Sequence, residues 1–148
     1  MKRLVMRGKP VVEGVAEGEA LVTRGPMQFL GPIDPFSGTI LASPDQELKG
    51  KSLSGRILVF SAQVGSTGDP LGFYLLKRAG TGPKAIVCST RGQMPVVSSI
   101  VANTPFVYGL DKDPTEHIQT GDQVRVDGNK GTVEVVRGGG SSRGVEPK

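Results

Sequence analysis

The chain has 148 residues, including 22 glycines and 11 prolines, and a net charge of +4. This length predicts one domain, and the single cysteine, Cys88, excludes an intrachain disulfide and any metal cluster or zinc site built from several cysteines of this chain alone. The lysine and arginine residues are scattered and are not interleaved with aromatic residues, so we expect no nucleic-acid partner, whereas an anionic metabolite and an acidic protein partner both remain open.

Apolar runs in the chain are short. None approaches the roughly 20 residues needed to cross a bilayer, and the N-terminal residues lack the apolar region of a signal peptide. We therefore expect a cytoplasmic protein with no membrane partner. Cys88 ends the apolar run 85–88, which predicts a buried and unreactive thiol, and the only histidine, His117, lies in a polar segment that is predicted at the surface.

The first part of the chain predicts short strands and one shaped loop. Strands are predicted near 4–6, 11–12, 20–22 and 38–41. Residues 24–36 contain Gly-Pro and Asp-Pro pairs, which disfavour a regular helix and predict a loop. Its part at 31–38 is either a proline-stiffened connection or a functional loop, in which Asp34 and Ser37 would lie near a substrate or a partner protein.

A junction between a strand and a helix follows in the middle of the chain. An apolar strand at 57–60 leads to the turn Gly65-Ser66-Thr67-Gly68, after which a helix is predicted. We expect Asp69 to be its N-cap and Pro70 its first residue, while Gly80 lies where helices commonly end. The residues predicted to form its apolar stripe are Leu71, Tyr74, Leu75 and Ala79.

This junction is a candidate active site. The glycines beside Ser66 let the backbone approach a ligand closely, and the amides before a helix donate hydrogen bonds to negative charge. The same residues are also compatible with a plain turn whose hydroxyls only cap the helix. Both interpretations remain open from the spacing alone.

The second half of the chain predicts two strand–helix–strand units and a hairpin. The predicted elements are a strand at 85–88, a helix at 95–102, a strand at 106–108, one turn of helix or a plain turn at 113–116, and hairpin strands at 124–126 and 132–136. Successive strand–helix–strand units favour parallel strands. We therefore predict one mixed α/β domain over 1–137 with two or three helices, followed by a disordered glycine- and serine-rich tail at 138–148.

Several segments together resemble the small subunit of the aconitase X type of hydro-lyases. They are Gly18-Glu19-Ala20-Leu21, residues 31–40, 48–52, 55–59, 65–68 and 82–86, and Gly121-Asp122. The resemblance extends over about 12–136. It implies a swivelling β/β/α domain that acts with a large subunit, in which an iron–sulfur cluster is expected, while no cofactor or metal is expected on this chain alone.

The resemblance also implies an activity and a catalytic residue. Two-subunit archaeal members dehydrate mevalonate 5-phosphate to trans-anhydromevalonate 5-phosphate in isoprenoid biosynthesis. The family's proton acceptor is the serine after the glycine of the central turn, which is Ser66 here. Many relatives have a more serine-rich loop, whereas this chain continues Thr67-Gly68-Asp69-Pro70, which leaves the roles of Thr67 and Asp69 open.

Further residues are predicted to contact the substrate or the large subunit. Besides Ser66 these are Gly65, Thr67, Asp34, Ser37, Arg24 and Arg91. Each of the two arginines lies beside a glycine in a loop, where its guanidinium either binds a phosphate or carboxylate with two hydrogen bonds or is solvated.

Three other functions remain to be weighed. Related small domains belong to dehydratases of hydroxyproline-type acids, and nothing in this chain identifies a phosphate unambiguously. Residues 100–105 and 121–133 also resemble the phosphohistidine mobile domain of phosphoenolpyruvate-using enzymes, but that domain needs a histidine upstream of the position of Pro105, and residues 92–95 contain none. A non-catalytic binding module would keep the fold, and it predicts that Ser66→Ala leaves the partner's activity intact.

Overall fold

The computed structural model describes residues 2–137, so the predicted tail at 138–148 lies outside the described residues. The strands are β1 (Lys2–Arg7), β2 (Lys9–Val12), β3 (Val15–Val22), β4 (Ile57–Phe60), β5 (Ala85–Cys88), β6 (Phe106–Tyr108), β7 (Gln123–Asp127) and β8 (Thr132–Arg137). The α-helices are α1 (Asp69–Ala79), α2 (Met94–Val101) and α3 (Pro114–His117), and a short 3-10 helix lies at Gln46–Leu48.

The strands form one mixed sheet in the order β1-β8-β7-β3-β4-β5-β6-β2. Strand β3 connects its two halves, because Val15–Glu19 pair antiparallel with β7 and Ala20–Val22 pair parallel with β4. Strands β4, β5 and β6 continue the parallel half, and β7 and β8 form the predicted hairpin. Both predicted strand–helix–strand units are therefore confirmed as parallel units.

Strand β4 shows how the layers are stacked, since all four of its residues are buried. Leu58 and Phe60 belong to one core, together with residues of α1 and of the segment 27–53. Ile57 and Val59 belong to the other core, which also contains residues of the antiparallel strands β1, β7 and β8. Because alternate residues of a strand point to opposite faces, the parallel half lies between the antiparallel strands and the helices. The expected β/β/α layering is confirmed.

One predicted strand is wrong. Residues 38–41 form only isolated bridges, Thr39 with Ser52 and Ile40 with Ile33. The two neighbouring residues pair with different segments, so no continuous ladder can form. The whole connection from β3 to β4 instead packs buried side chains, including Phe29 and Ile40, on the face of the sheet that also holds α1.

The predicted N-cap of α1 is also wrong. The helix covers Asp69–Ala79, its N-cap residue is Gly68, and no side chain caps this end. Asp69 is the first helical residue, and its carboxylate instead accepts hydrogen bonds from other segments of the chain. The C-terminal end agrees with the prediction, because Gly80 takes the left-handed conformation there.

The predicted apolar stripe of α1 does not face the core. The buried apolar side chains are Pro70, Phe73 and Leu76, whereas Leu71 and Leu75 are 53% and 40% exposed. Phe73 makes an edge-to-face ring contact with Phe29 from the connection between β3 and β4. The helix has apolar residues on two sides. The segment between β3 and β4, which contains Phe29, determines which of the two sides is buried. Within residues 2–137, no helix has the length and apolar character needed to cross a membrane.

Candidate active site

The site is built at one edge of the parallel half of the sheet. Strands β3, β4, β5 and β6 run parallel in that order, so their carboxyl ends meet at the same edge. Four loops leave from this edge, with Arg24 after β3, Ser66 after β4, Arg91 after β5 and Asp113 after β6. Ligands of parallel α/β sheets bind at the carboxyl ends of the strands.

Backbone hydrogen bonds hold three of these loops side by side. The N–H of Ser61 donates to the carbonyl of Gly25 at 3.1 Å, and the N–H of Thr90 donates to the carbonyl of Ser61 at 3.0 Å. The segments that contain Arg24 and Arg91 therefore flank the loop that leads to Ser66. Of the predicted site residues, the structure brings Arg24, Gly65, Ser66, Thr67 and Arg91 to one edge.

Ser66 lies in a tight turn immediately before α1, and its side chain is exposed. Its Oγ accepts a hydrogen bond from the Gly68 N–H at 3.2 Å, and its carbonyl accepts one from the Asp69 N–H at 3.0 Å. Gly65 takes a φ of +113°, a conformation that residues with a side chain rarely adopt. Gly65 and Thr67 are exposed beside Ser66. The hydroxyl thus faces solvent with one amide donor on its oxygen, at the positive end of the helix dipole.

The turn is anchored by Asp69, whose side chain is 1% exposed. Its carboxylate accepts hydrogen bonds from the Phe29 N–H at 2.9 and 3.1 Å and from the Leu30 N–H at 2.9 Å. It also accepts one from Gln63 Nε2 at 2.8 Å. A buried carboxylate needs such donors, because an unpaired charge away from water is strongly unfavourable. Asp69 therefore ties the start of α1 to the segment around Phe29.

The hydrogen-bond chain continues from Asp69 to α2. Gln63 Oε1 accepts a hydrogen bond from Ser98 Oγ at 3.0 Å, and the Gln63 and Ser98 side chains are both buried. We call Asp69, Gln63 and Ser98 the buried polar network. It links α1, α2, the loop after β4 and the segment around Phe29. Because its members have partners with defined geometry, the network orients the backbone next to Ser66.

The close approach of α1 to the segment around Phe29 depends on Gly72. A Cβ atom at Gly72 would lie 2.5 Å from the Leu30 nitrogen and 2.6 Å from its Cα. Real Cβ atoms do not approach backbone atoms so closely, so only glycine allows this contact. Gln28 packs against the Ser66 turn from the same segment, because a Cβ at Gly65 would lie 3.3 Å from Gln28 Cγ.

The structure does not bring Asp34 and Ser37 to Ser66. The neighbouring Pro35 carbonyl accepts a hydrogen bond from Thr81 Oγ1 at 2.6 Å, and Thr81 lies just after the C-terminal end of α1. Ser66 precedes the other end of this 11-residue helix, which is about 16 Å long. Whether Asp34 and Ser37 contact a partner protein stays a prediction.

The two arginines differ in their surroundings. Arg24 is exposed, and its charge acts on Asp113. Partial burial raises the pKa of the Asp113 carboxyl, but hydrogen bonds from Thr115 and Ser89 together with the charge of Arg24 outweigh it, so this pKa lies below its ordinary value. Arg91 is also exposed, and its Nη2 donates one long hydrogen bond to the Gly109 carbonyl at 3.4 Å.

Cys88 is buried as predicted and lies in the core that faces the helices. Burial raises the pKa of its thiol despite opposing hydrogen bonds from Thr90 and Ser89, so the neutral thiol prevails at pH 7. In the described part of the chain, no three His, Cys, Asp or Glu side chains converge as metal ligands. These residues do not fit an iron–sulfur cluster, and we assign no reaction step on this chain to one. His117 is partly buried at the end of α3.

Sequence reasoning did not find the buried polar network or the Ser89–Asp113 contact, in which Ser89 Oγ donates to Asp113 Oδ1 at 2.9 Å. One signal was present in the sequence. Ser98 and Ser99 are the only polar residues of the otherwise apolar helix α2. Polar residues alone on an apolar helix favour an internal hydrogen-bond partner, but the partner, Gln63, is 35 residues away.

Comparisons with known proteins agree with this architecture. The family model of the aconitase X swivel domain matches residues 5–135. The phosphomevalonate dehydratase small subunit of Pyrococcus furiosus is 40% identical over 134 residues, which cover 90% of this chain and 97% of that protein. The subunit of the same name from Methanosarcina acetivorans is 37% identical over 141 residues, which cover 95% and 97%.

A solved structure shows the same fold. One chain of the holo-form of Thermococcus kodakaraensis aconitase X matches with a TM-score of 0.82 and 36% sequence identity, over 90% of this chain and 99% of that one. The family match at 5–135 includes all eight strands and three α-helices of the described residues, apart from the outer residues of β1 and β8. This chain therefore belongs to the aconitase X swivel-domain family.

Proposed function

We propose that this chain is the small subunit of a phosphomevalonate dehydratase, which works with a large subunit in the cytoplasm. The enzyme removes water from mevalonate 5-phosphate to give trans-anhydromevalonate 5-phosphate in an archaeal mevalonate pathway. Relatives with that name match almost the full length of this chain. The observation that carries the proposal is the exposed Ser66 hydroxyl, which precedes α1 at the sheet edge where ligands bind.

In this reaction Ser66 is the proton acceptor. The Ser66 alkoxide takes the proton from the carbon next to the substrate carboxylate and becomes the neutral hydroxyl, while the electron pair of the C–H bond forms the carbon–carbon double bond and the β-hydroxyl leaves as hydroxide. Ser66 then gives this proton to the hydroxide, so the leaving group departs as water and the alkoxide is restored. An iron–sulfur cluster in the large subunit would supply a Lewis acid for the departing hydroxyl. The Ser66 hydroxyl needs its oxyanion stabilised in order to act as a base, and the Gly68 N–H and the start of α1 provide this.

Asp69 is the carboxylate near Ser66 whose negative charge would oppose this step if it faced the hydroxyl. Its two oxygens instead accept hydrogen bonds from Phe29, Leu30 and Gln63, which stabilise the charge inside the protein. Arg24 and Arg91 at the same edge are the candidate groups for the substrate's anionic ends. An exposed guanidinium with few partners can bind a phosphate or a carboxylate through two hydrogen bonds.

Reconstitution tests this function. This chain and the cognate large subunit are purified separately, combined without oxygen and supplied with mevalonate 5-phosphate, and the anhydro product is followed by mass spectrometry. Activity is expected only from the combined chains. Full activity from the large subunit alone would contradict the proposal. If a hydroxyproline-type acid were dehydrated faster than mevalonate 5-phosphate, that acid would be assigned as the substrate instead.

A further inference from the structure

Helix α2 turns its two serines inward and three of its large apolar residues outward. Ser98 and Ser99 are completely buried, whereas Val97, Ile100 and Val101 are 46%, 56% and 46% exposed. A helix on the surface of a monomeric protein normally does the opposite, with its polar residues in water. The buried polar network explains why Ser98 points inward, but nothing within residues 2–137 covers the apolar side.

Helix α1 packs beside α2 and extends this apolar surface. Its outward side contains Leu71 and Leu75, both exposed, and the half-buried Tyr74. A groove between the helices is lined by Pro70, Leu71, Tyr74 and Val101. The surface formed by both helices is called the helical face, and its residues are Leu71, Tyr74, Leu75, Val97, Ile100 and Val101. Contiguous exposed apolar surface of this kind is typical of a protein interaction site.

The helical face reaches the Ser66 turn. Leu71 lies in the first turn of α1, and Leu30 and Val64 next to the Ser66 turn are 40% and 41% exposed. Leu30 is in contact with the turn, since its Cδ2 lies 4.0 Å from the position of a Cβ at Gly68. A protein that docks on the helical face and continues over Leu30 would also cover Ser66 and keep water from it.

We propose that the helical face is the docking surface for the large subunit. This inference rests on the proposed function, because the reaction needs groups from the large subunit to reach the substrate opposite Ser66. The rim of the face is polar, with Arg78 Nη1 3.3 Å from the Tyr74 hydroxyl, as is usual around an apolar interface core. A second copy of this chain on the same face would cover Ser66 without bringing those groups.

A binding measurement with two substitutions tests the docking surface. The double variant Leu75→Lys, Ile100→Lys places charges in the middle of the helical face, and lysine is favourable near the C-terminal end of a helix. Both side chains are exposed, so the variant is expected to fold with an unchanged circular dichroism spectrum. Its affinity for the anaerobically purified large subunit, measured by calorimetry, is expected to fall at least about 100-fold, because buried charges at an interface core are strongly unfavourable.

The matched control is Leu41→Lys, which changes a similarly exposed leucine outside both helices. It is expected to bind like the unchanged chain. Equal affinity of the double variant and the unchanged chain would overturn the docking surface and leave the proposed function standing. Failure of the unchanged chain to bind the large subunit would contradict the proposed function itself. A dimer of this chain alone, detected by light scattering and lost in the double variant, would assign the face to a second copy.

Discussion

Two loops of this protein contain a serine among glycine and aspartate residues, and they use it differently. In the loop 34–39, Ser37 Oγ lies 3.0 Å from Asp34 Oδ2 and 2.7 Å from Thr39 Oγ1, and it accepts a hydrogen bond from the Thr39 N–H at 3.1 Å. In the Ser66 turn, the serine oxygen accepts one N–H at 3.2 Å, and the aspartate of the turn points into the protein.

The difference shows how the fold leaves one of the two serine hydroxyls accessible. In the Ser37 loop the side chains hold the loop together, and the serine hydroxyl is used for contacts within the loop. The Ser66 turn is instead held in place by the buried polar network behind it. The turn is therefore held by Asp69, while the Ser66 hydroxyl remains available.

The largest expected effect is a loss of activity on replacing Ser66, which replacing Ser37 should not cause. Ser66→Ala removes the proposed proton acceptor, so kcat of the reconstituted enzyme is expected to fall by about 100-fold to 10,000-fold. The free energy of unfolding is expected to change by less than about 0.5 kcal/mol, because the side chain is exposed. Steady-state kinetics and thermal unfolding measure the two quantities.

Ser37→Ala is the paired control. It removes hydrogen bonds within its loop, so the free energy of unfolding is expected to fall by about 1 kcal/mol. The kcat of the reconstituted enzyme is expected to stay within about twofold of that of the unchanged chain. If Ser66→Ala kept full activity, Ser66 would not be the base, and the non-catalytic function would be favoured.

The next effect concerns the anchor of the Ser66 turn. Asp69→Asn keeps the size of the side chain but turns one acceptor into an N–H group, which conflicts with at least one of its three donors. We expect a loss of about 1–3 kcal/mol in the free energy of unfolding and a fall in kcat of about tenfold or more, because the turn loses its orientation. Denaturant unfolding and kinetics on the same sample test this. An unchanged kcat in a destabilised variant would limit Asp69 to a structural role.

Gly72→Ala tests the close contact between α1 and the segment around Phe29. The new methyl group would meet the Leu30 backbone at 2.5 Å, so α1 and the segment around Phe29 must move apart. A helical alanine alone would add stability, but we expect the overlap to prevail and to lower the free energy of unfolding by about 1–3 kcal/mol. Gly92→Ala is the control, since the nearest atom there is 4.0 Å away. Equal stability of both variants would contradict the close packing.

The smallest effect belongs to Asp113, a carboxylate on an exposed loop like Asp34. Its pKa is lowered in the folded protein, so its contribution to stability is present above the ordinary value near 3.8 and is lost as the pH falls through the lower folded value. Asp113→Asn is therefore expected to be slightly less stable than the unchanged chain at pH 7, and the difference should shrink as the pH falls below 3.8 through the lower folded pKa. Thermal unfolding at several pH values measures it, and a difference that does not depend on pH would contradict this account.

The sequence alone determined most of the elements of the fold. Strand β4 and the second strand–helix–strand unit are local apolar patterns bounded by glycine and proline, so their type follows from nearby residues. The position of Ser66 between a strand and a helix was predictable for the same reason, whereas its proposed role as proton acceptor came only from the resemblance to a family. Residues 38–41 were mispredicted because a strand needs a continuous pairing partner, which a local pattern does not show.

Only the tertiary structure decided which sides of the helices face the core. Helix α1 has two apolar sides and α2 is apolar almost throughout, so periodicity could not tell the buried side from the exposed one. The choice is made by contacts between residues that are far apart in the chain, namely Phe29 with Phe73 and Gln63 with Ser98. The same contacts give Asp69 its buried role and leave Ser66 and the helical face exposed.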